Sequence, residues 1–246
     1  MLQTTFSLPL AGIIHGLLTS SGMGIGIMLV QIFISVIGIG YWIHLRRRVK
    51  YVENSNKRFV SFFRREGDVL DYCLQRHPAG AKVSMESIYN HTCERMLKEL
   101  SPEQRNIVAG QRAGGTSFAL TKKEMELVRS SCMNQLEDEI KNLEKGFWLL
   151  ASIVTTAPML GLLGTVWGVM DAFDMMGGKG TVLLSEIAPA ISSALGTTVF
   201  GLIIGIPAVC VYNYYATRMK EITTDMESFC EELLGRIKRD YQGGDE

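Results

Sequence analysis

Four hydroxyl side chains lie in long stretches of the chain that contain no charged residue. They are Thr165, Ser193, Thr197 and Thr198. Hydroxyl groups exchange hydrogen bonds and coordinate or relay cations, but they do not titrate near neutral pH. A single Ser or Thr in an apolar helix usually bonds to a carbonyl of its own helix. Four of them beside small residues favour a shared polar lining.

Small residues recur around these hydroxyls at helical spacing. The first face contains Gly161, Thr165, Gly168 and Ala172, and the second contains Ser193, Thr197, Gly201 and Gly205. Lipid gives no hydrophobic reason for helices to associate, so faces without bulk usually mark contacts between helices. The pattern predicts helix packing at Gly161, Gly168, Gly201 and Gly205.

The elements that carry both faces are long apolar helices. Phe147–Met170 and Ile187–Thr217 contain no Asp, Glu, Lys or Arg, and each exceeds the roughly 20 residues needed to cross a bilayer. The connection 171–186, with a turn at 177–180, is short enough to predict an antiparallel hairpin. A further apolar stretch, 23–45, predicts another membrane helix. The predicted fold is an all-α integral membrane protein with three transmembrane helices, the second and third extended into a cytoplasmic helical bundle.

Lysine and arginine side chains cluster at one end of each apolar stretch. They are Arg46, Arg47, Arg48 and Lys50 after the first, Lys141 and Lys145 before the second, and Arg218 and Lys220 after the third. Positive residues concentrate on the cytoplasmic side of membranes. The expected division is therefore a periplasmic or interfacial N-terminal segment (1–21), a transmembrane helix (22–45), a cytoplasmic helical domain (46–145), a second transmembrane helix (146–170), a periplasmic loop (171–186), a third transmembrane helix (187–215) and a cytoplasmic C-terminal helix (216–246).

Helices separated by breaks are expected in the charged part of the chain. One covers Val52 to about Gln75, a second covers Ser84–Leu100, and a short third follows the Ser101-Pro102 cap. A capping box at Thr121 opens a fourth, which we expect to continue as a single rod into the second span. Its apolar stripe comprises Val128, Cys132, Leu136, Ile140, Leu143 and Phe147. The third span is expected to continue along a stripe of Met219, Ile222, Met226, Phe229, Leu233 and Ile237.

Composition and residue placement argue against an enzyme. The net charge is zero and the pI is near 6.9, which argues against nucleic acid as a partner. The five cysteines are scattered without a CxxC pair, and the four histidines are dispersed, so neither a disulfide framework nor a metal site is expected. No catalytic constellation and no cofactor site is predicted.

The apolar hairpin resembles the TolQ/ExbB/MotA family of bacterial inner-membrane motor subunits. The residues that carry the resemblance are Thr156-Ala157-Pro158, Gly161-Leu162-Leu163-Gly164-Thr165-Val166-Trp167-Gly168, Ile187-Ala188-Pro189, Ala194-Leu195, Thr198, Gly201-Leu202, Ile206-Pro207-Ala208-Val209 and Tyr212-Asn213. Three spans fit TolQ and ExbB, because MotA has four. Pro158 and Pro207 lie within these motifs, and we expect them to contribute to helix packing.

The resemblance implies a proton-channel stator subunit that couples the ion-motive force to work at the outer membrane. With that function, the expected ion pathway is formed by Thr165, Ser193, Thr197 and Thr198. It implies a homopentamer surrounding a dimer of a single-span TolR/ExbD-type subunit, with a TolA- or TonB-type transducer as output. Many relatives carry glutamate where this chain has Ser193. The group that titrates during ion transfer is therefore expected to be an aspartate of the partner. An all-hydroxyl lining would also suit sodium. Two alternatives stay open: the same architecture driving gliding or surface transport, and a passive membrane scaffold.

Overall fold

The protein is almost entirely helical in the residues that a computed structural model describes, which are 22–65, 85–99, 119–179 and 183–241. These residues form five helices and no β-strand: α1 (Gly22–Phe63), α2 (Met85–Glu99), α3 (Lys122–Glu144), α4 (Phe147–Lys179) and α5 (Leu184–Tyr241). Three stretches are long and apolar enough to cross a membrane, in α1, in 122–177 and in α5. The predicted all-α class with three spans is confirmed.

The chain divides into two compact units. The apolar unit combines the chain up to Leu45 with Gly146–Ala216, and the charged unit combines Arg46–Lys145 with Thr217–Glu246. Helices α1 and α5 contribute residues to both units, whereas α2 and α3 belong to the charged unit and α4 to the apolar unit.

In the apolar unit, α4 and α5 form the predicted antiparallel hairpin. Residues early in α4 face residues late in the membrane part of α5: Pro158 lies against Gly205, and Gly168 lies against Ala194. Aromatic stacking joins the other end of the pair, where the rings of Phe147 and Tyr212 are 4.9 Å apart. Large apolar side chains on the outer surface are exposed in the single chain, as expected for helices surrounded by lipid or by other subunits.

The charged unit has an apolar core with an aromatic centre. The rings of Phe59 and Phe63 contact those of Tyr89 and Phe229 with centroids 5.2 to 5.7 Å apart, and the Arg236 guanidinium lies 4.3 Å above Phe63. Every member of the predicted α5 stripe is buried, and so are four of the six predicted for α3. Helical periodicity therefore identified the core of this unit.

Two predicted helix boundaries were wrong because a change in polarity does not end a helix. We expected separate helices at 22–45 and from Val52, but α1 continues to Phe63 because the basic segment contains no proline or glycine. We expected a loop at 171–186, but α4 runs to Lys179 and α5 begins at Leu184. Asp171 and Asp174 therefore belong to the helix that carries Thr165.

The predicted continuous rod through the second span is interrupted by a two-residue turn, Lys145-Gly146. The capping box at Thr121 is present, with Thr121 Oγ1 accepting from Glu124 N and Glu124 Oε2 accepting from Thr121 N. The helix that it opens, α3, ends at Glu144, and α4 begins at Phe147. Between them Gly146 has a φ of 85°, a left-handed conformation that glycine adopts without steric cost.

Some predictions concern residues outside those that the structure describes. They are the N-terminal segment 1–21, the end of the helix expected near Gln75, the Ser101-Pro102 cap and the C-terminal residues 242–246.

Candidate functional site

Three threonine hydroxyls converge on one main-chain carbonyl in the apolar unit. Oγ1 of Thr165, Thr197 and Thr198 lies 3.2, 3.2 and 2.9 Å from Gly161 O. The bond from Thr165 stays within α4, as predicted for an isolated threonine, whereas the other two cross from α5. They reach this carbonyl because Gly161 has no side chain, and α5 passes directly over it.

The three hydroxyls offer more hydrogen-bond donors than this one carbonyl oxygen can accept. A carbonyl has two lone pairs, and in a helix one serves the backbone N–H four residues later. Oγ1 of Thr165 and Thr197 also lies 3.3 and 2.7 Å from Ala194 O, and the hydroxyls of Thr165 and Thr198 contact each other. Several hydrogen-bond arrangements are therefore available to the same atoms, which is the property that a relay of protons or a change of ligand requires.

Exposure separates the four predicted pathway residues into two pairs. Thr165 and Thr198 are half-buried and their hydroxyls contact each other, and we call these two residues the edge pair. Thr197 and Ser193 are buried, with Thr197 1% and Ser193 7% exposed. Only the edge pair is open to a group from outside the chain.

The small residues of α4 and α5 allow the two backbones to touch. A Cβ on Gly161 would lie 3.0 Å from Thr198 Cα, one on Gly168 would lie 2.6 Å from Ala194 Cβ, and one on Gly201 would lie 2.7 Å from Ala157 O. A Cβ on Gly205 would lie 2.8 Å from Pro158 Cγ. These contacts lie within one chain. Pro207, in contrast, is exposed.

Gly164 has the most restricted environment of these positions, although the sequence analysis did not single it out. A Cβ there would lie 2.7 Å from Cβ of Thr197 and would overlap its hydroxyl. The small-residue pattern assigned Gly161 and Gly168 to the contact face and left this glycine between them. The sequence feature that could have identified this glycine is its position inside the Gly-Thr motif.

Gln31 is a second residue that the sequence analysis missed. It lies in α1, is fully buried, and its Nε2 lies 3.3 Å from Thr197 O and 3.5 Å from Ala157 O. The signal was a lone amide within an otherwise apolar membrane helix, since polar residues inside membranes are costly.

Asp171 lies on the same helix as Thr165, directly after the charge-free stretch 147–170. Helix α4 continues past that stretch, and Oδ2 of Asp171 is buried without a hydrogen-bond partner among the described residues. The carboxyl lies less than two turns beyond Thr165 on the same helix.

Hydrogen bonding is the chemistry that this arrangement supports. Within the described ranges, no three His, Cys, Asp or Glu side chains lie close enough to hold a metal ion. The oxygen-rich part of the apolar unit consists of hydroxyls, main-chain carbonyls and one amide, which can hydrogen-bond to a proton carrier or coordinate a cation.

Comparison with known proteins identifies the family of this chain. Residues 88–228, more than half of the chain, match the MotA/TolQ/ExbB proton channel family. TolQ of the Tol-Pal system from Pseudomonas aeruginosa is 26% identical over 226 residues, which cover 92% of this chain and 94% of that protein.

Higher identity is confined to shorter segments of other relatives. Haemophilus influenzae TolQ is 38% identical over 105 residues, 43% of this chain and 46% of that protein. The biopolymer transport protein ExbB of Pseudomonas putida is 36% identical over 107 residues, 43% of this chain and 32% of that protein. The aligned segments thus span less than half of these two relatives. The chain belongs to the MotA/TolQ/ExbB proton channel family.

Proposed function

We propose that this protein is the channel-forming stator subunit of an ion-driven motor in the bacterial inner membrane. The observation that carries the proposal is the edge pair: two half-buried threonines on a membrane helix hairpin, with hydroxyls joined to each other and to Gly161 O. The ion is a proton. A titrating carboxyl that approaches the edge pair from outside the chain could exchange a proton through these hydroxyls, which cannot themselves titrate near neutral pH.

The proposed partner is a TolR/ExbD-type single-span subunit with an intramembrane aspartate. Five copies of this chain would surround two copies of the partner, and the exposed apolar faces of α4 and α5 would contact neighbouring copies and lipid. The full-length match to a Tol-Pal system protein favours a TolA-type output over a TonB-type one.

Sodium is a second candidate ion, and a specific observation favours it. The hydroxyls converge with the carbonyls of Gly161 and Ala194, and neutral oxygens are ligands that sodium prefers. Asp171 offers an acid within the chain that could serve either ion.

Ion flux through the purified complex tests the function directly. The chain, co-expressed with a single-span partner and reconstituted in liposomes, should dissipate an imposed pH gradient. A partner variant whose intramembrane aspartate is replaced by asparagine serves as the control and should be inactive. A complex that assembles but carries neither protons nor sodium would establish the passive scaffold instead.

The proposed orientation places Arg46–Lys145 and the C-terminus in the cytoplasm. The native cysteines report it poorly, because Cys93, Cys132 and Cys230 are fully buried. A hydrogen bond with Cys132, together with burial, also raises the pKa of the Cys230 thiol, which keeps it protonated and unreactive.

Introduced cysteines at exposed positions should therefore report the orientation. In a cysteine-free background, Met176→Cys should react with an impermeant maleimide added to spheroplasts, and Ser61→Cys should react only after lysis. Both side chains are exposed, so reactivity depends on the compartment. Labelling of Ser61→Cys in intact spheroplasts would reverse the proposed topology.

A further inference from the structure

Asp171 lies in α4 on the side of the edge pair that the proposed orientation assigns to the periplasm. It follows Thr165 by six residues, so the two residues are separated by about 9 Å along the helix axis. Asp171 as a whole is half-buried, but its Oδ2 is completely buried and accepts no hydrogen bond from the described residues. The carboxyl group therefore lies at the boundary between the interior of the apolar unit and its surroundings.

The described part of the apolar unit provides little positive charge to balance this acid. Its one lysine or arginine is Lys179, eight residues further along α4. The titratable side chains that α4 and α5 bring to the same end of the unit are acidic and exposed, namely Asp174 and Glu186. Helix α1 has no titratable residue between positions 22 and 40.

A buried acid oxygen without a cation or a hydrogen-bond donor is costly beside a membrane, and such residues usually mark ion pathways. Packing alone does not require a carboxylate here, because asparagine has the same shape without the charge. A proton removes the charge by binding to the carboxylate itself, so it needs no cavity next to Asp171. The chemistry that fits this position is therefore the uptake and release of a proton.

We propose that Asp171 takes up the transported proton on its way to the edge pair. The carboxylate accepts a proton from a hydronium ion of the periplasm, which leaves a water molecule and a neutral carboxyl group. Asp171 then gives the proton to the carboxylate of the aspartate on the single-span partner and becomes a carboxylate again. The neutralised aspartate of the partner meets the edge pair. This inference rests on the proposed function, because it requires a proton pathway at the edge pair.

Ion flux tests the role of Asp171 in the complete complex. Asp171→Asn should reduce proton flux at least tenfold in liposomes that contain the chain and its single-span partner, while the complex keeps its size on gel filtration. Asparagine keeps the shape of the side chain and cannot carry the proton. Asp171→Glu keeps the acid and should retain most of the wild-type flux.

The matched control is Asp174→Asn. It removes an exposed acid three residues further along the same helix. Proton flux in this variant should equal that of the wild type, because Asp174 presents its carboxyl to the solvent and not to the interior of the unit. A tenfold loss in both variants would assign the effect to the general negative charge of this helix end and would overturn the specific role of Asp171.

Infrared difference spectroscopy follows the proton on Asp171 itself. Spectra of the wild-type complex are recorded at high and low pH, and the C=O stretch of a protonated carboxyl is assigned to Asp171 by its loss in Asp171→Asn. We expect this band to appear as the pH falls and to remain in Asp174→Asn. If no band that changes with pH belongs to Asp171, the proposal is wrong, because a group with constant protonation cannot deliver protons.

The inference and the proposed function fail in distinguishable ways. A wild-type complex that assembles and carries no protons would refute the proton-driven motor and the role of Asp171 with it. A wild-type complex that carries protons, together with full flux in Asp171→Asn, would refute the role of Asp171 alone. Loss of assembly in Asp171→Asn would assign the carboxyl to packing and would refute that role as well.

Discussion

Thr165→Val or Thr198→Val should abolish ion flux and leave the complex assembled. Valine keeps the shape of threonine and removes the hydroxyl, so it deletes the edge pair without opening a cavity. Hydrogen bonds between membrane helices contribute only about 0.6 kcal/mol on average, so stability should change little. Flux should fall by more than about tenfold, which corresponds to about 1.4 kcal/mol in the barrier. The measurement is dissipation of a pH gradient by liposomes that contain the reconstituted complex.

A matched control distinguishes the edge pair from ordinary membrane threonines. Thr155 lies on the same helix, is exposed, and bonds only to carbonyls of its own turn, those of Ala151 and Ser152. Thr155→Val should therefore retain wild-type flux. Wild-type flux in Thr165→Val and Thr198→Val would remove the hydroxyls from the pathway and leave them a packing role.

The same variants address the identity of the ion. Ion flux through Thr165→Val and Thr198→Val is measured in separate proton and sodium gradients. It should fall below wild-type flux in the gradient of the ion that the complex transports. Ser193→Glu introduces the carboxyl that many relatives carry, and Ser193→Ala removes the hydroxyl at the same position. Because Ser193 is buried, we expect Ala to be tolerated and Glu to impair assembly unless the carboxyl is protonated.

Gly164→Ala should disrupt the α4–α5 hairpin more than its small size suggests. The added Cβ would lie 2.7 Å from Cβ of Thr197, which is itself confined between Gly161 O, Ala194 O and the Gln31 amide. Overpacking of this kind costs about 1–3 kcal/mol. We expect a lower unfolding temperature in detergent, and lost ion flux because Thr197 must move.

Gly196→Ala is the control for this substitution. It lies on α5 one residue before Thr197, and a Cβ there meets no atom within 4 Å. Replacing a helical glycine by alanine where space allows is stabilising by roughly 0.5–1 kcal/mol. The two variants should therefore change stability in opposite directions. A neutral Gly164→Ala would mean that the hairpin backbones lie further apart than the structure has them.

The sequence by itself determined the class, the spans and the apolar stripes of this protein. The charge-free stretches 147–170 and 187–217, the capping box at Thr121 and the stripe from Met219 to Ile237 are local patterns. Length, periodicity and capping chemistry act between residues close in the chain, so each can be read without knowing the neighbours. The family followed from the hairpin motifs for the same reason, because their residues are consecutive or regularly spaced.

Only the tertiary structure decided which hydroxyls meet and what surrounds them. The rotation of α4 against α5 selects Gly161 O as the shared acceptor, makes Gly164 the closest contact to Thr197, and leaves Thr165 and Thr198 half-buried. The approach of α1 adds Gln31 from more than a hundred residues away. Spacing within one helix defines a face but not the partner or the register that the face adopts. Those depend on the packing of several helices at once, since close contact is a property of pairs of surfaces.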